Sequence, residues 1–460
     1  MKFTRTSAAL LLGSGFVAGI AAGPGGAIVA RALGPRPAAA EAADQTDRLL
    51  ALFGDVVGLV RADYVEPVAP HTLIDNALNG MLTGLDPHSA YMTEQQWHDM
   101  QTETSGQFGG IGLEVTDNDG LLEVVSPIDG TPAARAGLRA GDLITAVDGK
   151  SIDGLSLSDA VAEMRGPPDT TLRLTVKRQG QDAPLQFTLT RQIIQVQTVK
   201  SRLLGDIGVI RITEFTEQAN PGLRAAMRKL RADSGGRLRG IVLDLRNDPG
   251  GLLDQAIAVA NDFLDHGDIV STRGRRARDD QNWLAHPGED VSGKLPVVVL
   301  TNNGTASAAE IVAGALQDNR RALVLGTQSF GKGSVQTLIP LDGNGAVRLT
   351  TARYYTPSGR SIQGLGITPN VEVHASRTPQ PHFGPAHEAD LLHVLANQGG
   401  DKPATPPPPA DLPAVAQQIP KLPPSDWPTF DPAKPATDFQ LQQALVLVHA
   451  MATGPQAASR

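Results

Sequence analysis

The sequence predicts an α+β protein of several domains, with a helical region near the N-terminus, a β-rich domain and an α/β core. Three patterns support this prediction. Apolar residues recur at helical spacing over residues 47–63, short β-branched runs separated by turn residues fill 108–178, and strands alternate with helices over 207–325. A chain of 460 residues is also long enough for about three structural units.

The first 43 residues predict an export signal that is either cleaved or kept as a membrane anchor. Lys2 and Arg5 precede an uncharged stretch over residues 8–30, and this order of charge orients insertion. The apolar front part, residues 8–22, suits a signal peptide, whereas the whole stretch is almost long enough to span a bilayer. Small residues suited to cleavage follow at 38–42. We therefore expect an exported, periplasmic protein, whose anchored form would sit in the inner membrane.

The helical region and the β-rich domain follow in that order. The helical region, residues 44–107, contains predicted helices at 47–63 and 73–82, and a turn at 85–89 ends the second one. The β-rich domain covers residues 108–182. Its predicted strands are at 111–115, 121–125, 142–147 and 172–176, with one helix at 157–164.

The α/β core, residues 183–375, begins with a β-prone connection and then alternates strands with helices, as a largely parallel sheet does. Residues 376–436 are rich in proline and predict a disordered linker. An amphipathic helix at 437–452 is expected to dock on the chain or on a second copy. The core strands are predicted at 207–212, 240–245, 295–300 and 322–325, and the core helices at 222–232, 253–264 and 306–317.

Composition excludes several functions. Hydrophobic residues make up 41% of the chain and charged residues 19%, which is enough apolar material for a sizeable core. The formal net charge of −8 and the 4% of aromatic residues argue against a nucleic-acid-binding surface. Cysteine is absent, so thiolate nucleophiles, disulfides and cysteine-ligated metals are excluded.

Two loops at the carboxyl ends of core strands have unusual chemistry, and ligands collect at this edge of parallel sheets. The loop 246–251 ends in glycines that leave backbone N–H groups uncovered. The loop 302–310 is made mostly of small residues and opens a helix, with Ser307 in the first turn. There the helix dipole and free N–H groups favour negative charge on an oxygen. On local grounds alone, a serine in this position is more often a cap or a packing residue.

Two further motifs resemble ligand sites without meeting their requirements. Gly331 and Lys332 end a phosphate-loop spacing, but Gly333 stands where Ser or Thr should bind magnesium, and a strand follows instead of a helix. The run that starts at His387 misses the zinc-protease spacing, because Leu391 stands where the second histidine belongs. The sequence therefore predicts no metal site and no cofactor.

Several motifs occur in an order that resembles the carboxyl-terminal processing proteases, the tail-specific Ser-Lys peptidases of family S41 with an inserted PDZ domain. The resemblance extends over residues 47–373, and it implies a PDZ-like β-rich domain before a crotonase-like α/β protease core. The motifs are Leu85-Asp86-Pro87-His88-Ser89, Gly109-Gly110-Ile111-Gly112, Arg165-Gly166-Pro167, Asp244-Leu245-Arg246 with Pro249-Gly250-Gly251, Thr305-Ala306-Ser307-Ala308, Phe330-Gly331-Lys332-Gly333-Ser334-Val335-Gln336 and Tyr355-Thr356-Pro357-Ser358-Gly359-Arg360.

The resemblance implies a serine-type endopeptidase that works through an acyl-enzyme. Ser307 is then the nucleophile, Lys332 the general base, and Gln336 the residue that positions the lysine. To accept the serine proton at neutral pH, the lysine must lower its pKa from about 10.4 by roughly three units, or about 4 kcal/mol. Phe330 and the glycines around the lysine suit such a water-poor site.

The oxyanion hole of this family implies two backbone donors, the N–H of Ala308 and one from Gly250 or Gly251. Asp248 departs from the family pattern, which usually has Asn before Pro-Gly-Gly. A carboxylate beside the oxyanion hole is expected to weaken it unless the side chain points away.

The run Gly110-Ile111-Gly112-Leu113 resembles the carboxylate-binding loop of a PDZ domain, where backbone N–H groups bind a terminal carboxylate while the peptide adds as a strand. We therefore expect protein substrates with unstructured or apolar C-termini as partners, and no nucleic acid. Arg165 is a candidate regulatory link between ligand docking and the active site. The family also suggests homo-oligomers and an adaptor or regulator. The alternative function is a non-catalytic PDZ-bearing adaptor or chaperone with a decayed protease core.

Overall fold

The computed structural model describes residues 38–118, 121–378, 385–398 and 412–453. The export signal expected over residues 1–43 lies largely outside this part of the chain. Within the described ranges, no helix combines the length and the apolar character needed to cross a bilayer. The chain divides into two compact units, Met1–Leu78 and Asn79–Arg460.

The first unit contains helix α1 (Ala38–Asp63), and helix α2 (Pro70–Thr83) runs from this unit into the second. α1 begins well before the predicted start at residue 47, because the alanine-rich residues 38–43 are strong helix formers. The small residues expected at the cleavage site therefore form the first turns of α1.

A short connection leads into the β-rich domain. It consists of strand β1 (Ala90–Met92), helix α3 (Glu94–Ser105) and strand β2 (Gln107–Gly110). Sequence periodicity did not predict α3, because none of its residues is buried. Its local signal is a capping box, in which Thr93 and Gln96 satisfy each other's backbone N–H groups.

The β-rich domain is a twisted sheet with two short helices, formed by β3 (Leu113–Asn118), β4 (Leu121–Pro127), α4 (Pro132–Ala136), β5 (Leu143–Val147), β6 (Lys150–Ser151), α5 (Leu157–Met164), β7 (Thr171–Lys177) and β8 (Leu185–Thr190). The strand order is β3-β4-β5-β7-β8, so β3 lies at one edge. Leu172 and Leu174 point into the core at alternate positions of β7. The sheet extends past the expected boundary at residue 182, because β8 pairs with β7.

A two-stranded ribbon connects this domain to the rest of the chain at both ends. Strand β9 (Gln192–Gln195) pairs antiparallel with β2, with Gly109 opposite Ile193. The β-rich domain is therefore inserted between two strands that hold each other.

The α/β core contains two sheets and the helices that cover one of them. Its elements are β10 (Val199–Leu204), β11 (Ile207–Ile212), α6 (Ala219–Asp233), β12 (Gly240–Asp244), α7 (Leu253–Asn261), β13 (Asp268–Gly274), β14 (Gln281–Leu284), β15 (Val297–Thr301), α8 (Ala308–Asp318), β16 (Leu323–Gly326), β17 (Ser334–Pro340), β18 (Ala346–Tyr355), β19 (Val371–Glu372) and α9 (Phe439–Thr453).

The main sheet has the order β10-β11-β12-β15-β16-β19, and all pairs except β10 with β11 are parallel. Alternate side chains of the central strands enter two separate hydrophobic clusters. Ile210 and Leu243 belong to the cluster that includes α6, α7 and α8, whereas Val209 and Val242 belong to the cluster that includes α9. The sheet is therefore covered on both faces, as its continuous apolar strands require.

The second sheet is antiparallel and joins β1, β18, β13 and β14, with β17 paired to β18. β17 starts two residues after Lys332, so the strand expected after the phosphate-loop-like motif is present.

The described parts of the proline-rich segment contain regular turns and packed side chains, where composition predicts a disordered linker. Residues 385–398 and 412–436 contain short 3-10 helices at Glu388–Asp390, Ala414–Gln418 and Pro435–Thr437. Ile419 and Trp427 pack against the α9 cluster, and the Trp427 ring meets Phe439 edge-on at 4.9 Å. A proline-rich chain has less conformational entropy to lose on ordering, so contacts made by a few partly buried apolar side chains are enough to order these parts.

Helix α9 docks on its own chain, which is one of the two expected alternatives. Leu441 and Leu447 are fully buried in its cluster. Arg246, just after β12, donates to Asp244 at 2.7 Å and to Asp438 at 2.7 Å. This buried ion pair network ties the start of α9 to the carboxyl end of the central strand.

Candidate active site

Ser307 lies one residue before helix α8, at the carboxyl edge of the main sheet. Its backbone has a φ of 53°, a left-handed value that is unusual for a residue with a side chain and is typical of functional sites. Its side chain is almost buried. Ala308 is the first helical residue, so its N–H has no acceptor within the helix. The serine and the predicted oxyanion donor therefore meet at one helix N-terminus.

Glu310 holds this turn to the loop that carries the lysine. Its Oε2 accepts the N–H groups of Ser307 and Lys332, both at 2.9 Å, so the two nitrogens lie within twice that distance of each other. Its Oε1 accepts the Gly331 N–H at 2.8 Å and the Ser329 hydroxyl at 2.5 Å. Burial raises the pKa of Glu310 to about 7, although these hydrogen bonds favour the ionised form and oppose the rise.

The role of Glu310 in joining the two loops is not evident from the sequence. An acidic residue three positions after a serine that precedes a helix is a capping-box signal. That signal predicts the bond to the Ser307 N–H, but the bonds to Ser329, Gly331 and Lys332 depend on tertiary structure.

Lys332 lies in the loop before β17 and is largely enclosed. Burial lowers the pKa of Lys332, and the nearby Arg348 lowers it further, whereas Glu388, Glu310 and Asp86 act in the opposite direction. Among the hydrogen bonds of the described residues, none joins the Ser307 side chain to the Lys332 amine. The structure thus joins the two loops through backbone N–H groups that share the Glu310 carboxylate.

Gln336 lies on β17, and its amide donates to Ser334 Oγ at 2.9 Å and to Thr350 Oγ1 at 3.3 Å. Thr350 in turn donates to Asp86 at 3.0 Å. The side chain is therefore bound to the neighbouring strand and the turn 85–89, and among the described residues it makes no hydrogen bond to Lys332.

The C-terminal segment completes the surroundings of the lysine loop, which the sequence analysis did not foresee. Glu388 is fully buried, and its N–H donates to the Phe330 carbonyl at 2.9 Å. Its carboxylate is 2.8 Å from His88 Nε2 and accepts the Gln363 amide at 3.0 Å. The turn 85–89 and residues 385–398 thus meet beside the lysine.

The loop after β12 packs directly against the turn that carries Ser307. A side chain at Gly250 would meet Ser307 Cβ and the Ala308 nitrogen, each at 2.8 Å, so only glycine fits there. Gly250 has a φ of 100° and Gly251 a φ of 138°. The Gly250 N–H donates to Asp248 Oδ1 at 2.9 Å, so this predicted oxyanion donor already has an acceptor.

Asp248 is completely buried beside this turn. Its backbone carbonyl accepts the Ala306 N–H at 2.9 Å, which holds it to the nucleophile loop. Its Oδ2 has no hydrogen-bond partner within the described part of the chain. Burial raises the pKa of Asp248 to about 8, and the nearby Glu214 adds to this effect.

Comparison with known proteins assigns the family. The profile of peptidase family S41 matches residues 206–373, and that of the PDZ domain matches residues 123–178. A carboxy-terminal-processing protease from Bartonella bacilliformis is 52% identical over 362 residues, covering 78% of this chain and 83% of the relative. The chain belongs to peptidase family S41.

Two further proteins are also similar to this chain. A carboxyl-terminal-processing protease from Synechocystis sp. is 38% identical over 68% of this chain and 74% of that protein. Among solved structures, the photosystem II D1 C-terminal processing protease matches with a TM-score of 0.40 and 30% identity, over 70% of this chain and 92% of that one.

Family membership makes the chain a serine-type endopeptidase of the carboxyl-terminal-processing class. It also confirms the predicted fold class, in which helices and a PDZ domain precede an α/β protease core.

The PDZ domain of this S41 protease presents the predicted carboxylate-binding loop beside an edge strand. Gly110 ends β2, Ile111 is buried in the domain core, and Leu113 begins the edge strand β3. Gly112 has a φ of 78°, and its carbonyl accepts the N–H of Ile128 at 3.0 Å. The loop therefore has a fixed backbone at the end of a free strand edge, which is the geometry that strand addition needs.

Arg165 lies at the end of α5, where the PDZ domain meets the connecting ribbon. Its guanidinium stacks over the Phe108 ring at 4.8 Å from the centroid. The neighbouring Gly166 N–H donates to the Gly109 carbonyl at 3.2 Å. A side chain at Gly109 would come within 2.1 Å of the Gly166 oxygen, so the two segments are in close backbone contact.

Proposed function

We propose that this S41 protease is an exported serine endopeptidase that binds protein C-termini through its PDZ domain and cleaves peptide bonds with a Ser307–Lys332 dyad. The observation that carries the proposal is the sharing of one carboxylate oxygen by the N–H groups of Ser307 and Lys332. It places the candidate nucleophile and the candidate base in neighbouring loops, with the serine in a strained backbone conformation before a helix.

The chemistry follows from the lowered pKa of Lys332, because burial favours its neutral amine. The amine accepts the Ser307 hydroxyl proton as the oxygen attacks the peptide carbonyl. The Lys332 ammonium then protonates the leaving amine, and an acyl-enzyme remains on Ser307. Water hydrolyses the ester in a second step with the same base. Gln336 is proposed to position the lysine in the substrate-bound state.

The developing oxyanion needs backbone donors next to Ser307. The Ala308 N–H is free of an intrahelical acceptor and lies at the positive end of the α8 dipole. One N–H, from Gly250 or Gly251, is proposed to supply the second donor, and for Gly250 this requires that its bond to Asp248 be exchanged or shared. The absence of side chains there lets the loop approach Ser307.

Substrate selection is proposed to reside in residues 110–113 and the free edge of β3. An isolated PDZ domain of a carboxy-terminal protease from Vibrio cholerae, 29% identical over the matched part, has been solved with a bound peptide. We propose that this PDZ domain likewise binds peptides, specifically free protein C-termini.

The deciding experiment follows cleavage of a reporter protein that carries an unstructured apolar C-terminal tail. The native chain is compared with Ser307→Ala, with Lys332→Ala, and with Ser151→Ala as a matched control at an exposed serine of β6. We expect only the native chain and the control to cleave the reporter. In the native chain, a serine-directed fluorophosphonate should label Ser307. Amidating the tail should slow cleavage if the carboxylate is recognised. Equal loss of reporter with native and Ser307→Ala protein, or no loss with either, contradicts the proposal and favours a binding role.

A further inference from the structure

The Asp248 carboxyl is a buried acid that the proposed mechanism does not use. Asp248 is hydrogen-bonded to the Ser307 loop through Ala306 and to its own loop through Gly250. Its carbonyl accepts the Ala306 N–H, and its Oδ1 accepts the Gly250 N–H, both at 2.9 Å. Gly250 in turn packs against Ser307 and Ala308. A charge on this carboxyl therefore lies one hydrogen bond away from the glycine that packs against Ser307 and Ala308.

The surroundings of Asp248 disfavour an ionised carboxylate. Its Oδ2 is buried without a hydrogen-bond partner among the described residues, and an unpartnered charge costs far more in such a place than an unpartnered hydroxyl. Glu214 is the nearby acid, and burial together with Glu103 raises the pKa of Glu214. Arg211 on β11 opposes these effects, but it also donates to Asp244 at 3.3 Å.

The titratable group on the α8 side is Glu310. Its carboxylate accepts the N–H groups of Ser307, Gly331 and Lys332. Glu310 is therefore bonded to other residues, and as an acid it does not stabilise a negative charge on Asp248. Protonated aspartic acid has nearly the shape of asparagine, and its Oδ1 still accepts the Gly250 N–H.

We propose that Asp248 is a positioning residue that supports catalysis as a neutral acid and switches the S41 site off when it ionises. In the neutral form it holds the Gly250 turn against Ser307 without adding charge. In the ionised form it places a negative charge beside the oxyanion and raises the barrier to acyl transfer. This inference rests on the proposed peptidase mechanism.

The test is the pH profile of kcat/KM for the full chain on the tailed reporter. We expect the native enzyme to fall behind Asp248→Asn above the pKa of Asp248, with the ratio of their kcat/KM values decreasing by up to about tenfold per pH unit. Asp248→Asn keeps the acceptor for Gly250 and should be active without this alkaline decline. Asp248→Ala removes the acceptor and should be slow at every pH. Asp254→Asn is the matched control, because this exposed aspartate follows in the same region and should leave the native profile unchanged.

A second readout does not need activity. A carboxyl whose folded-state pKa is raised stabilises the fold below its unfolded pKa, and this contribution is lost as pH rises through the folded value. The melting temperature of Asp248→Asn should therefore exceed that of the native chain by a margin that grows between pH 5 and pH 9. An alkaline decline that persists in Asp248→Asn, or a melting difference that does not change with pH, overturns the inference. If the peptidase proposal alone is wrong, no variant cleaves at any pH and the melting difference still grows.

Discussion

Replacing Glu310 by glutamine separates the hydrogen-bonding role of this residue from its size. The carboxylate accepts four donors, three of them backbone N–H groups from the loops that carry Ser307 and Lys332. Glutamine keeps the volume but has only one acceptor oxygen, and its amide group brings N–H donors of its own. Whichever way the amide turns, at least one backbone N–H in this buried site loses its acceptor.

The magnitude follows from these contacts. Each buried N–H left without an acceptor costs about 1–3 kcal/mol, and the remaining bonds lose their charge assistance. If the amide nitrogen replaces Oε2, Ser307 and Lys332 both lose their acceptor. We therefore expect Glu310→Gln to destabilise the protease core by about 2–5 kcal/mol at pH 8, where the native carboxyl is ionised. A misplacement of the two loops by about 1 Å is expected to lower kcat/KM by about 100-fold.

The assay combines thermal unfolding with the rate of Ser307 labelling by a fluorophosphonate. The matched control is Glu163→Gln in the PDZ domain, because this exposed glutamate only pairs with Lys150 and its loss should change stability by less than about 1 kcal/mol. A Glu310→Gln protein that unfolds and reacts like the native chain would refute the role of Glu310 in holding the two loops together.

Three further predictions concern other parts of the molecule. In the Asp248→Asn protein, which has no carboxyl at this position, kcat/KM should rise with pH through a pKa below the ordinary lysine value, since only the neutral Lys332 amine accepts a proton. Lys332→Arg should be inactive at every pH. Arg246→Met should lower the stability of the core by about 3–5 kcal/mol in thermal unfolding, because it removes the ion pairs to buried Asp438 and Asp244 and leaves Asp244 with Arg211 alone. Arg237→Met at an exposed site is the control. Arg165→Ala should slow cleavage of tailed proteins while leaving the melting temperature nearly unchanged, and equal turnover would contradict the proposed link to Phe108.

Much of the fold could be predicted from the sequence because hydrophobic period and turn residues are local signals. The strand at Ile207–Ile212 and the helix at Leu157–Met164 have the predicted bounds. Other boundaries moved by a few residues where pairing or capping decides, as at β8, whose partner strand extends the β-rich sheet beyond residue 182. Helix α3 has no buried face and therefore no periodic signal.

The site was predictable only in part, for a different physical reason. Motifs single out Ser307 and Lys332 as candidates, and their backbone N–H groups share one oxygen of Glu310. The carboxylate that joins them contacts residues 19 to 22 positions away, and no sequence period encodes such contacts. The ordering of the C-terminal segment has the same origin, because Glu388 is fixed by Phe330 and Gln363.

Burial shifts the pKa of Lys332 and the pKa of Glu310 in opposite directions, and both shifts favour a neutral lysine amine. Burial lowers the pKa of Lys332 directly. It also raises the pKa of Glu310 to about 7, and a less ionised Glu310 attracts the Lys332 proton less strongly. Both oxygens of Glu310 already accept donors from Ser307, Ser329 and the lysine loop, so they are poorly placed to pair with an ammonium as well. An ionised carboxylate with free oxygens would instead pair with the lysine and stabilise its charged form. The same residue can therefore hold the two loops together without pairing with the amine of Lys332, the proposed base.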